Sequence, residues 1–135
     1  MGPSSPEQPL TGCRVLIVED EYFLADDLRV ALKSLGANMI ALVGDLGEAL
    51  DLLAHGGFDI AVIDINLQGH PAFRIADQLQ QRGIPFVFST GYGAETIPGR
   101  FADVIRWEKP FDPRMAASDL IRLWRRDRSV DSRVN

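Results

Sequence analysis

The chain has 135 residues, of which 46% are apolar and 24% charged, and its net charge is −5. This composition predicts one globular domain with its own core and leaves no room for a second. The acidic balance argues against nucleic-acid binding, although the last residues are locally basic. No stretch approaches the roughly 18 continuous apolar residues of a membrane span, so we expect no membrane insertion.

Cys13 is the only cysteine, so no internal disulfide can form and a reducing, cytoplasmic location is the simplest expectation. The first residues are rich in Pro and Ser and carry few apolar side chains that a core could bury. This predicts a flexible N-terminal segment over 1–12. The folded domain is predicted over 13–127, with a C-terminal tail over 128–135.

Short β-branched runs then alternate with amphipathic segments. Five strands are predicted, over 14–18, 38–43, 60–63, 85–89 and 104–107. Helices are predicted over 22–35, from Asp45 through Ala54, from Pro71 at the first turn to Gly83, and from Pro113 onward. Between 91 and 103, four Gly or Pro residues leave room for one or two turns, so the fourth of five helices is expected to be short or mobile.

Uninterrupted apolar strands must be buried on both faces, so this alternation predicts a parallel sheet covered by helices on both sides. We expect a doubly wound α/β domain, flavodoxin-like, with five strands in the order 2-1-3-4-5. In that order the chain reverses direction between strands 1 and 3, which leaves a crevice beyond their carboxyl ends.

Polar residues end four of the five predicted strands. From strand 1 to strand 5 the groups are Glu19-Asp20, Asp64, Ser89-Thr90 and Lys109-Pro110. Each residue taken alone can be explained as a helix cap, a turn residue or a surface residue. No comparably simple explanation accounts for all of them at the same edge of the sheet. Three carboxylates at one edge repel one another, and hard oxygen ligands with room for water suit Mg²⁺. Lys109 adds a second positive charge.

This set of strand-end residues resembles the receiver domain of two-component response regulators, over roughly 13–127. The segments 64–73 and 88–92 are similar to a subgroup nicknamed FATGUY, for a Phe-Ala-Thr-Gly-x-Tyr-like motif. That subgroup is typical of alphaproteobacteria and its members often stand alone. Here Ser89 replaces the usual Ala. The resemblance implies the CheY-like version of the predicted fold.

The resemblance also implies that Asp64 is the phosphoacceptor, in a Mg²⁺-dependent transfer from a histidine kinase or histidine phosphotransferase. Asp20 and Asp64 would bind Mg²⁺ directly, Asn66 through its backbone carbonyl and Glu19 through water. Such a domain catalyses only its own phosphorylation and dephosphorylation, so we do not expect an enzyme that acts on a separate substrate.

Thr90 and Lys109 would bind the phosphoryl oxygens, because this chemistry depends on positioning and charge neutralisation. The resemblance places Asn66 and Tyr92 where the family tunes hydrolysis of the acyl phosphate; Tyr92 would shield it or pack as an aromatic lid. The family's switch uses an aromatic residue on strand 5, but Arg106 stands there and the neighbouring Trp107 should face the opposite side. We therefore hypothesise that phosphorylation orders the loop 91–100.

Other classes of protein fit less well. An aspartyl phosphatase or phosphomutase needs a second carboxylate two residues after the nucleophile, where this chain has Asn66. A Rossmann module needs a glycine-rich turn after strand 1, where this chain has Glu-Asp-Glu. A pseudo-receiver, which binds proteins independently of phosphorylation, remains an alternative.

We expect the domain to act through partners, either as a phosphoryl shuttle or sink or by docking onto a downstream protein when phosphorylated. We expect a monomer or a weak dimer.

Overall fold

The computed structural model describes residues 8–91 and 97–134. The elements in chain order are β1 (Arg14–Val18), α1 (Tyr22–Ser34), β2 (Asn38–Val43), α2 (Leu46–His55), β3 (Ile60–Asp64), β4 (Asn66–Leu67), β5 (His70–Pro71), α3 (Phe73–Gln81), β6 (Phe86–Thr90), a 3₁₀ turn (Gly99–Phe101), β7 (Arg106–Glu108) and α4 (Pro113–Val134). Five parallel strands form one sheet in the order β2-β1-β3-β6-β7. Counted without the short β4–β5 hairpin, this is the predicted order 2-1-3-4-5, so the fold class is confirmed.

The two faces of the sheet carry two separate apolar clusters. Alternate residues of a strand point to opposite faces, so Ile17 of β1 joins the cluster under α1 and α4, whereas Leu16 joins the cluster under α2 and α3. Both are fully buried. The sheet is therefore covered on both sides, as its uninterrupted apolar strands require.

Local signals set the helix ends where the sequence indicated them. Asp45 caps α2 by accepting a hydrogen bond from the backbone N–H of Glu48 at 2.9 Å. Gly36 follows α1 with φ of +98°, a left-handed conformation that favours glycine. Asp112 precedes α4, and its side chain accepts from the N–H of Arg114 at 2.9 Å.

The start of α3 differs from the prediction. Pro71 does not lie in the first helical turn but in the β4–β5 hairpin, and α3 begins at Phe73. The hairpin forms because Gln68 adopts a positive φ of 50° and the chain folds back, so that the N–H of Ala72 bonds Ile65 O at 2.7 Å. This difference matters for function, since the hairpin follows directly on Asp64.

Three other segments bear on the predictions. Residues 8–12, assigned above to a flexible segment, instead form a turn in which Leu10 is fully buried and its N–H bonds Leu35 O at 2.9 Å. The last helix continues to Val134, past the boundary placed at residue 127. In the region of the expected fourth helix, the described residues contain the 3₁₀ turn Gly99–Phe101, and 92–96 lie outside the description.

Among the described residues, no helix has the length and apolar character needed to cross a membrane.

Candidate functional site

Four carboxylates meet at the carboxyl edge of the central strands. Glu19, Asp20 and Glu21 follow β1, and Asp64 ends β3; the pairing of Val18 with Ile63 brings the two strand ends side by side. One oxygen of each carboxylate lies within 4.8 Å of the others. Glu19 and Asp64 are buried, with 5% and 4% of their surface exposed. Buried carboxylates this close need a counter-charge.

Lys109 supplies that counter-charge from the loop after β7. Its backbone N–H bonds Thr90 O at 2.8 Å, which holds the loop against β6. Its ammonium Nζ lies 2.8 Å from Glu19 Oε2, 2.6 Å from Glu21 Oε2 and 3.0 Å from Asp64 Oδ2. The lysine side chain is only 11% exposed, so these contacts are weakly screened by solvent. One ammonium thus joins three of the four carboxylates.

The protonation equilibria of the site reflect this crowding. Burial raises the pKa of Glu19, Lys109 opposes this, and the nearby Asp64 adds to it, so that the pKa lies at about 7. Burial likewise raises the pKa of Asp64. Burial by itself lowers the pKa of Lys109, but hydrogen bonds to three carboxylates outweigh it and the pKa lies above its ordinary value. The lysine is therefore charged at neutral pH and serves all three carboxylates at once.

The β4–β5 hairpin closes the site with two backbone donors. The N–H of Asn66 bonds Asp64 Oδ1 at 3.0 Å, and the N–H of Gln68 bonds Asp20 Oδ2 at 2.9 Å. Asn66 itself is exposed. The hairpin thus orients the two aspartates, which sequence reasoning did not anticipate.

Two residues of the site were not predicted in these roles. Glu21 joins the acidic cluster and the lysine network; it belongs to the same acidic run as Glu19 and could have been included. Ser89 is fully buried, and its hydroxyl donates to Glu19 Oε1 at 3.2 Å. The only signal for Ser89 was its position at a strand end.

The structure describes two parts of the predicted switch, Thr90 on β6 and the pair Arg106 and Trp107 on β7. Thr90 ends β6 and is 8% exposed. Trp107 is buried under α4, where its indole N–H donates to Asp119 at 2.8 Å, whereas Arg106 is exposed. The predicted opposition of Arg106 and Trp107 across the sheet is confirmed. Tyr92 lies outside the described residues.

The donor set fits a hard divalent cation. Among the residues that the structure describes, four carboxylates meet one ammonium, which leaves an excess of negative charge in the cluster. All the donors are oxygens, the ligand type that Mg²⁺ prefers, and the exposed side of the cluster leaves space for the waters that Mg²⁺ retains. The side chains predicted to hold the metal are those of Asp20 and Asp64, directly, and of Glu19, through water; all three lie in the cluster.

Comparisons with known proteins agree with this geometry. The family model described as "Response regulator receiver domain" matches residues 15–113. The sensory transduction protein LytT of Bacillus subtilis is 32% identical over 103 residues, which cover 73% of this chain and 43% of LytT. The chain therefore spans less than half of that relative.

Solved structures show the same likeness. The solution structure of SdrG from Sphingomonas melonis Fr1 is 36% identical, with a TM-score of 0.73, and the match covers 83% of this chain and 94% of SdrG. The crystal structure of the response regulator PhyR from Brucella abortus has a TM-score of 0.77 at 22% identity, over 96% of this chain and 55% of PhyR. The second likeness concerns the fold alone.

Proposed function

The chain belongs to the response regulator receiver domain family, and we propose that it signals by accepting a phosphoryl group on Asp64 from a phosphohistidine. The observation that carries this proposal is the contact between Lys109 and Asp64 inside the acidic cluster. It provides a nucleophilic carboxylate, a fixed cation beside it and oxygen ligands for a metal within one small site.

In the proposed step an oxygen of Asp64 attacks the phosphorus of the phosphohistidine. The new O–P bond forms an acyl phosphate, the P–N bond breaks, and its electron pair leaves with the imidazole nitrogen. Lys109 offsets the charge on the phosphoryl oxygens, and the Thr90 hydroxyl donates a hydrogen bond to one of them. Both residues are already held together by the bond between Lys109 N–H and Thr90 O.

We propose Mg²⁺ as the cofactor, bound by Asp20 and Asp64 directly, by the backbone carbonyl of Asn66 and by Glu19 through water. When bound, it neutralises negative charge on the carboxylates and on the transferring group. The hairpin bonds to Asp20 and Asp64 support this assignment, because they orient two of the ligands before the metal arrives.

The lifetime of the acyl phosphate is proposed to depend on Asn66 and Tyr92. Asn66 is exposed and its backbone N–H bonds the Asp64 carboxylate, so its side chain would be placed to restrict or guide the attacking water. We also propose that phosphorylation orders the loop 91–100, since Arg106 occupies the position of the usual aromatic readout on β7 and Trp107 is held under α4. Amide exchange in that loop should then slow on phosphorylation; unchanged exchange would rule out this part of the proposal.

The proposed phosphoryl donor is a histidine kinase or a histidine phosphotransferase, and the output is transfer of the phosphoryl group or docking onto a downstream protein. A cytoplasmic site of action agrees with the single, buried cysteine. The second candidate is a pseudo-receiver. The support for it is that the ammonium of Lys109 already donates hydrogen bonds to three carboxylates. The hydrogen bonds of the lysine are therefore satisfied without a phosphoryl group.

The test is to incubate the protein with Mg²⁺ and acetyl phosphate and to record its intact mass. We expect the gain of one phosphoryl group in the wild type, and no gain with EDTA or in Asp64→Asn. Asp59→Asn is the matched control, because Asp59 precedes the same strand at its opposite end and should be labelled like the wild type. A folded wild-type protein that gains no mass and does not bind beryllofluoride would favour the pseudo-receiver.

A further inference from the structure

Ser89 is a buried hydroxyl with one distinctive contact. Ser89 lies on β6 and pairs with Asp64 on β3, so β3 lies between Ser89 and β1 in the sheet. Its side chain nevertheless reaches Glu19, donating to Oε1 at 3.2 Å. These residues are 70 positions apart in sequence. A fully buried hydroxyl is unfavourable unless it is bonded, so the contact with Glu19 accounts for the serine at this position.

The other oxygen of Glu19 is held as well. Glu19 Oε2 accepts from Lys109 Nζ at 2.8 Å and from the backbone N–H of Glu21 at 3.1 Å. Donors therefore hold both ends of the carboxylate, and rotation of the group requires that one of these bonds break. Ser89 is the donor that constrains the Oε1 end.

We propose that Ser89 is a positioning residue for the metal site, one that sets the orientation of Glu19 toward Mg²⁺. This inference rests on the proposed function, because it assumes that Glu19 serves the metal. Hydrogen bonds that orient direct metal ligands typically contribute about 10- to 100-fold to metal affinity, and Glu19 would hold Mg²⁺ one step further out, through water. For one neutral hydroxyl we expect a loss near the lower end of that range.

The experiment measures Mg²⁺ affinity by titration calorimetry in the wild type, Ser89→Ala and Ser89→Thr. We expect Ser89→Ala to bind Mg²⁺ about tenfold more weakly, whereas Ser89→Thr keeps the hydroxyl and binds like the wild type. In acetyl phosphate labelling, the Mg²⁺ concentration for half-maximal rate should rise in Ser89→Ala while the rate at saturating Mg²⁺ stays unchanged. Thermal unfolding without metal checks that each variant is folded.

A double-mutant cycle separates positioning from packing. If Ser89 acts through Glu19, adding Ser89→Ala to a Glu19→Ala protein should change Mg²⁺ affinity by less than about twofold. An equal loss in both backgrounds would overturn the inference, and so would wild-type affinity in Ser89→Ala or an equal loss in Ser89→Thr.

The outcomes also distinguish this inference from the proposed function. A wild-type protein that becomes phosphorylated while Ser89→Ala shows unchanged Mg²⁺ dependence overturns the inference alone. A wild-type protein that binds no Mg²⁺ and gains no phosphoryl group overturns both.

Discussion

The ammonium nitrogen of Lys109 lies 3.0 Å from Asp64 Oδ2, across the carboxyl ends of two strands that are separated by β6 in the sheet. The same nitrogen contacts Glu19 and Glu21, so a single cation bridges the acidic cluster. The contacts of Lys109 therefore affect the stability of the fold as well as the proposed chemistry. Without this cation, the clustered carboxylates would repel one another.

Removal of Lys109 is expected to destabilise the metal-free protein. Lys109→Ala leaves buried carboxylates without a counter-charge, and we expect a loss of about 3 kcal/mol in the free energy of unfolding. Mg²⁺ should restore part of this loss, because it supplies positive charge to the same oxygens. Urea unfolding with and without Mg²⁺ measures both effects. The matched control is Lys33→Ala, which removes the only other lysine, an exposed one, and should change stability by less than about 0.5 kcal/mol.

Mg²⁺ alone should stabilise the wild type, since the folded state brings together oxygen ligands that lie far apart in the unfolded chain. At a concentration of one hundred times Kd, the gain is about 2.7 kcal/mol. Thermal unfolding should show a rise in Tm on titration with Mg²⁺, reversed by EDTA. Asp20→Asn should reduce the rise, because it replaces a charged ligand by a neutral one. A wild-type Tm that does not change with Mg²⁺ would contradict the metal site.

The ion pair at the opposite edge of the sheet gives a pH-dependent contribution. Asp59 accepts hydrogen bonds from the backbone N–H of Arg14 at 2.8 Å and from its guanidinium at 3.1 Å. Burial by itself raises the pKa of Asp59, but these bonds outweigh it and the pKa lies below its ordinary value of 3.8. A lowered folded-state pKa means that the stabilisation is fully present above the ordinary value and is lost as pH falls through the folded value.

We therefore expect Asp59→Asn to be less stable than the wild type by a constant amount between about pH 7 and 5. The difference should shrink below about pH 4, as the wild-type carboxyl becomes protonated. Urea unfolding across this range measures it, with Asp51→Asn on the exposed side of α2 as the control. A difference that grew on acidification would have the wrong sign for a lowered pKa.

Phe101 anchors the 3₁₀ turn to the core. It is 1% exposed, and its ring contacts those of Phe73, Phe86 and Phe88 at centroid distances between 5.5 and 6.2 Å. Phe101→Ala should cost about 3–5 kcal/mol, because it removes a buried ring and leaves a cavity. Phe23→Ala removes the same group from a residue that is 83% exposed and should be close to neutral. Equal losses in the two variants, measured by urea unfolding, would contradict this packing.

Much of the site could be predicted because it depends on strand ends. Glu19, Asp20, Asp64 and Lys109 each follow or end an apolar run that is readable from the sequence. Parallel strands bring their carboxyl ends to one edge of the sheet, so four local observations were enough to place these residues together. The caps at Asp45 and Gly36 were predictable for the same reason, since each depends on neighbours within a few positions.

The sequence by itself therefore determined the alternation of strands and helices and the residues that end the strands, because periodicity and strand ends are local properties of the chain. Only the tertiary structure decided that Ser89 bonds Glu19, that Pro71 enters a hairpin and that Leu10 is buried. Leu10 and Ser89 depend on contacts with residues remote in the chain, at Leu35 and Glu19. The hairpin depends on a positive φ at Gln68, which no periodic pattern encodes. Such features depend on packing and backbone geometry, which the local patterns do not encode.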